Sequence, residues 1–99
     1  MKRLLTIDEI RAAVIPVARR YGIKKVALFG SYARGDATPE SDVDIHISDK
    51  GALRSLFQLG GFYSDLEESL GTGLDVVTTG GLDDCFLEKI QKEEVVLYG

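Results

Sequence analysis

The run Asp42-Val43-Asp44-Ile45-His46-Ile47-Ser48 narrows the fold more than any other stretch of this chain. Its strict alternation of apolar and polar residues has the period of a strand with two unlike faces. Val43, Ile45 and Ile47 share one face; Asp42, Asp44, His46 and Ser48 share the other. Such a strand must lay its apolar face on a core and leave an acidic face open. Two aspartates two residues apart on that face have Cα atoms roughly 6.6 Å apart. Strands disfavour Asp, and like charges this close raise one carboxyl pKa. A solvated polar face tolerates the pair. A shared divalent cation, with carboxylate oxygens about 2.1 Å away, turns the repulsion into a binding site.

The residues upstream give the pair a context. Lys25-Val26-Ala27-Leu28-Phe29 is a short apolar run that reads as a buried strand, and it ends in Gly30-Ser31. Ser31 to Arg34 reads as the first turn of a short helix, and residues 36–41, Asp-Ala-Thr-Pro-Glu-Ser, are turn material. A glycine turn between a strand and a helix start presents backbone N–H groups to an anion. Gly30 allows close approach to the backbone, the Ser31 hydroxyl can donate to a phosphate oxygen, and Arg34 lies one helical turn on, near the same face. Taken alone, Ser31 as a simple cap with a solvated Arg34 explains the turn as well. The combination is sharper. Gly-Ser, ten residues, then Asp-x-Asp arises by chance about 10⁻⁵ times per start position, or ~10⁻³ over the chain.

The remainder reads as helices interleaved with strands. Thr6-Ile7-Asp8-Glu9 has the capping-box pattern; Ile10, Ala13, Val14, Val17, Ala18 and Tyr21 then recur at helical spacing up to a C-capping Gly22. Pro16 inside that pattern predicts a kink. Residues 52–70 carry a helical pattern that Gly60-Gly61 interrupts, predicting a short helix near 52–58 and a longer one near 62–70. Residues 74–79 read as a third strand, 83–91 as an amphipathic helix and 94–98 as a last strand. The expectation is one domain over residues 1–99, of α/β (α+β) class, a small mixed sheet flanked by helices.

Composition sets limits on partners. With 99 residues, 44% hydrophobic and 28% charged, the chain has enough apolar material for one core. A net charge of −4 with scattered basic residues argues against direct nucleic-acid binding. Asp8, Glu9 and Arg11 break any signal-peptide core, and no stretch approaches the roughly 18 apolar residues of a membrane span. With Cys85 the single cysteine, no intrachain disulfide can form, which is compatible with a cytoplasmic setting.

Gly30-Ser31-x10-Asp42-x-Asp44 resembles the signature of the nucleotidyltransferases related to DNA polymerase β. Leu28-Phe29-Gly30-Ser31-Tyr32-Ala33-Arg34-Gly35 with Ser41-Asp42-Val43-Asp44 is similar to the minimal nucleotidyltransferase (MNT) branch, and Leu74-Asp75-Val76-Val77 matches the family's third-carboxylate strand. The resemblance implies the nucleotidyltransferase fold. It implies that Asp42, Asp44 and Asp75 hold Mg²⁺ and form the catalytic set, that Asp75 assists deprotonation of the acceptor hydroxyl, and that Gly30, Ser31 and Arg34 bind the phosphates of ATP. The chain is expected to leave no residues for a separate acceptor domain, so either a small acceptor is bound by a homo-oligomer or a second protein brings it.

The MNT branch resembles the antitoxin half of two-gene, type VII-like systems. There AMP passes to a hydroxyl, typically of tyrosine, on a HEPN-type ribonuclease toxin. A binding-only antitoxin and transfer to a small molecule stand as alternatives. His46, one step along the polar face from Asp44, is expected to pack beneath the site. Cys85 is expected to be half-buried, and Arg34-Gly35-Asp36 is taken as a coincidental adhesion tripeptide.

Overall fold

The computed structural model describes residues 4–48, 56–78 and 83–99. The chain runs α1 (Ile7–Tyr21), β1 (Lys25–Phe29), α2 (Ser31–Arg34), β2 (Val43–Ser48), α3 (Leu56–Leu70), β3 (Leu74–Thr78), α4 (Asp84–Glu93) and β4 (Val95–Tyr98). The four strands form one mixed sheet in the order β3-β2-β1-β4. β1 pairs antiparallel with both β2 and β4, and β2 pairs parallel with β3. The expected α/β class with a small mixed sheet flanked by helices is what the chain forms.

Local chemistry sets the elements. At the start of α1 the Glu9 N–H donates to Thr6 Oγ1 at 3.0 Å while the Thr6 N–H donates to Glu9 Oε1 at 2.9 Å, a complete capping box. Gly22 ends the helix in the left-handed region at φ 68°. Pro16 lies within α1 on an exposed position.

The sheet's apolar face carries Val26, Leu28, Val43, Ile45 and Ile47, all fully buried. Ile10, Val14 and Val17 of α1 and Phe62 and Leu66 of α3 close the core over that face. The other face carries Asp44 and His46 of β2, leaving the acidic side of the alternating strand outside the core.

Two helical expectations change. The break predicted at Gly60-Gly61 is absent, and α3 runs through both glycines. The reason is packing. A Cβ on Gly61 would come within 2.7 Å of the Tyr21 hydroxyl, so the missing side chain lets α3 approach the end of α1. There Tyr21 stacks edge-on against Phe62 at 5.7 Å and donates its hydroxyl to Asp65 at 2.8 Å. Residues 52–55 of the predicted short helix lie outside the described residues. Cys85 is exposed, not half-buried, because α4 buries only Ile90 fully and Cys85 lies in its first turn.

Phe62, fully buried on the side of α3 that meets α1, is the largest of the wholly buried side chains among the described residues. Phe62→Ala is expected to cost about 3–5 kcal/mol in denaturant unfolding, the usual penalty for a large-to-small core change. A loss under 1 kcal/mol would mean that α3 packs less tightly than described.

Candidate active site

The turn after β1 places the first part of the site. Gly30 has φ 75° and ψ −153°, a conformation closed to other residues, and initiates the four-residue α2. Tyr32 anchors that short helix: it is buried and its hydroxyl accepts the Leu5 N–H at 3.3 Å. Gly35, at φ 87°, then turns the chain outward. A second turn follows, in which the Ser41 N–H donates to the Thr38 carbonyl and the Thr38 N–H donates to Ser41 Oγ, both at 2.9 Å. It delivers Asp42 to the start of β2. The expected strand over 42–48 begins one residue later, at Val43, so Asp42 sits at the exposed lip.

Pairing then assembles the carboxylates. β2 and β3 run parallel with Asp44 and Asp75 as direct Cα partners. Asp75 is exposed on β3, an edge strand of the sheet. Phe29, the residue before Gly30, is the antiparallel partner of Asp44 on the other side. Two glycines make room for the aspartates. A Cβ on Gly30 would collide with the Asp44 carboxylate, and a Cβ on Gly73 would collide with that of Asp42. The site sets two carboxylates against side-chain-free backbone positions.

The electrostatics single out Asp44. Its carboxyl is pushed up to about 6 from 3.8, first by burial, then by the charges of Asp75 and Asp42; Glu93 adds to the rise and Arg34 opposes it. A cation would relieve this strain. Among the described residues no three acidic, histidine or cysteine side chains form a ready metal cage. The set is nonetheless all carboxylate, the hard oxygen donors that Mg²⁺ takes, and Mg²⁺ typically fills its remaining positions with water and substrate phosphate. By donor type, though not as a preformed cage, the residues suit that ion.

The phosphate side differs from expectation. The Gly30 N–H is already engaged: it donates to Glu93 Oε1 at 3.0 Å. Arg34 is also held, with Nη1 3.5 Å from Glu93 Oε1 and Nε 3.4 Å from Asp36 Oδ2. Both arginine contacts are half-exposed and weak. Glu93 has no local signal in the sequence: it falls between the expected helix over 83–91 and the expected strand over 94–98, and α4 in fact runs on to it. His46 packs beneath the site as expected, buried and bonded through Nδ1 to Glu94 Oε2 at 2.9 Å; Lys25 Nζ lies 3.6 Å from Glu94 Oε1.

Residues 13–99 match the family model described as polymerase beta, nucleotidyltransferase. The chain belongs to the polymerase β nucleotidyltransferase family. As a nucleotidyltransferase it is 35% identical over 91 residues to a Methanocaldococcus jannaschii protein provisionally named a protein adenylyltransferase, covering 92% of this chain and 97% of that one. A solved structure described provisionally as a minimal nucleotidyltransferase superposes with a TM-score of 0.80 at 30% identity, over 92% of this chain and 95% of the other. A chain in a structure of a tri-AMPylated Shewanella oneidensis HEPN toxin in complex with MNT antitoxin superposes with a TM-score of 0.73 at 17% identity, over 95% and 73%. At that identity the last likeness speaks to fold alone. No helix among the described residues is long and apolar enough to cross a membrane.

Two outcomes follow from this geometry. Gly30→Ala is expected to lose about 2–3 kcal/mol of stability, because the new methyl meets the Asp44 carboxylate in a glycine-only conformation. Asp44 also sets a pH dependence. Between 3.8 and about 6 the native state holds a proton that the unfolded state has released, so the stability of the metal-free protein falls as pH rises through that window and levels off above it. Asp44→Asn is therefore expected to raise Tm at pH 7.5 by roughly 4 °C, a figure reduced for the partial exposure of the group, and to leave it unchanged at pH 4. An equal gain at both pH values would remove the carboxylate as the cause.

Proposed function

We propose that this chain transfers AMP from ATP, with Mg²⁺, to a hydroxyl of a HEPN-type toxin, and acts as the antitoxin that neutralises it. The observation that carries this reading is the Asp44 carboxylate, seated against Gly30 and crowded by Asp42 and Asp75, beside the turn that offers Ser31. The name protein adenylyltransferase on a relative 35% identical supports a protein as acceptor.

The residues divide the work. Asp42, Asp44 and Asp75 would hold the metal, which supplies a local positive field for the triphosphate and the charge that develops on transfer. That field matters in a protein of net charge −4, which has no overall attraction for a polyanion. Ser31 donates its hydroxyl to the departing phosphates, and Arg34 lies on the same turn. The acceptor hydroxyl oxygen attacks the α-phosphorus. Its proton passes to the Asp75 carboxylate, the bond between the α-phosphorus and the bridging oxygen breaks, and pyrophosphate leaves toward the Gly30-Ser31 turn. Asp75 suits the base role because it is exposed at the sheet edge, where a second protein can present a side chain. A tyrosine hydroxyl fits such an approach, since its ring carries the oxygen well clear of the partner's backbone.

The decisive experiment is mass spectrometry of the toxin co-expressed with this chain. One or more AMP-sized increments are expected with the native sequence and none with the double variant Asp42→Asn, Asp44→Asn. Circular dichroism of the variant should match the native protein, because the change removes repulsion along with the ligands. Undiminished transfer by the double variant would refute the metal assignment. A stable complex without any increment would make the chain a binder. Ser31→Ala, which deletes one hydrogen bond among several, is expected to slow transfer about ten-fold.

A further inference from the structure

Glu93 has no part in the transfer just described, yet it occupies the ground assigned to the nucleotide's phosphates. One oxygen, Oε1, accepts the Gly30 N–H at 3.0 Å and lies 3.5 Å from Arg34 Nη1. A carboxylate and a phosphate draw on the same donors, a backbone N–H and a guanidinium. The bond closes a loop between distant parts of the chain, from the end of α4 to the turn after β1.

Its surroundings argue against a purely structural bond. Glu93 is the last residue of α4, where the partial negative charge of the helix end disfavours an acid. It also faces Asp44 across Gly30, and its charge is among those that disfavour ionised Asp44. Its side chain is 30% exposed, so it can swing into solvent without breaking the core. A cavity of about 240 Å³ opens between the end of β1 and α4, lined among others by Gly30, Arg34, Lys89 and Glu93. Two cations and a backbone donor therefore border a space whose acid is the one group at odds with its setting.

We propose that Glu93 is an internal stand-in for phosphate. In the nucleotide-free protein its carboxylate holds the Gly30 N–H and partly neutralises Arg34; the β- and γ-phosphates of an incoming nucleoside triphosphate displace it into the flanking cavity or solvent. This rests on the functional reading above. The consequence is a weakened apparent affinity, because the binding-competent form is only a fraction of the population. The returning carboxylate also competes with pyrophosphate and speeds its release. Glu93 is thus a positioning residue: it acts on the substrate through Gly30 and Arg34.

The test compares the native chain with Glu93→Gln and Glu93→Ala by calorimetry. The probes are a non-hydrolysable ATP analogue and inorganic tripolyphosphate, each with Mg²⁺. Both variants are expected to bind both probes about three- to ten-fold more tightly, corresponding to loss of one charge-assisted competitor. In transfer assays KM for ATP should fall, kcat should rise little or fall, and pyrophosphate should inhibit more strongly. Variants that bind like the native chain, or more weakly, would overturn the proposal, since a merely structural Glu93 predicts that result. Should a variant fail to fold, the native protein decides the matter by NMR. Titration with tripolyphosphate must shift the Gly30 amide and the Glu93 carboxyl carbon together, and a Glu93 signal unmoved at saturation overturns the proposal. A native chain that binds neither probe would bring down the functional reading and this inference with it. A native chain that binds both, with unchanged variants, would bring down this inference alone.

Discussion

The contact between Asp44 and the bare face of Gly30 orders the rest of the site. A carboxylate can stand against the end of β1 only because residue 30 has no side chain, and residue 30 can take its φ of 75° only as glycine. These two demands meet at one position. The turn that satisfies them also starts α2, presents Ser31 and carries Arg34, so the groups proposed to bind phosphate and the groups proposed to bind metal share one backbone kink. Gly73 repeats the device on the other flank, where it accommodates Asp42, and its carbonyl accepts the Val43 N–H at 2.9 Å. The site is shaped by absent side chains, whose places the two carboxylates take.

That core supplies the rigidity. The same strand β2 that carries Asp44 buries Val43, Ile45 and Ile47 completely under α1 and α3. A slip of one residue in its register would turn every one of those side chains outward and the aspartates inward, so the site and the core fix each other. The Asp44 pKa is a measure of the outcome. Burial contributes most to its rise, and the neighbouring carboxylates come next. Folding energy from the apolar face therefore holds a charge arrangement that is unfavourable on its own.

Much of this was legible in the residues. The strict alternation of 42–48 gave both the strand and its acidic face, and the capping box and Gly22 marked both ends of α1. Gly-Ser followed by Asp-x-Asp marks the turn and the strand that the fold sets side by side, Gly30 against Asp44. Other features depend on tertiary contacts and leave no local signature. Gly60-Gly61 looks like a helix break, yet packing against Tyr21 keeps α3 continuous. The match of Asp75 to Asp44 is a matter of parallel register between strands joined by a helix. Glu93 reaches Gly30 from 63 positions away, and no periodicity in α4 announces it. Long-range hydrogen bonds of that kind determine how the site idles, whereas local pattern determines where it is.

The balance of charge bears on the proposed reaction. Acidic residues crowd the site from three sides: Asp42 and Asp75 at the lip, Asp44 within and Glu93 behind Gly30. On that reading each would repel a triphosphate until a cation arrives, so nucleotide and metal would bind as a unit, with the two-residue spacing of the aspartates coupling them. Arg34, the arginine on the turn itself, is already held by Asp36 and Glu93. On the proposed reaction, a neutral hydroxyl on another folded chain, brought to the exposed edge at Asp75, would need no charged grip, and surface complementarity between the two proteins would do the positioning.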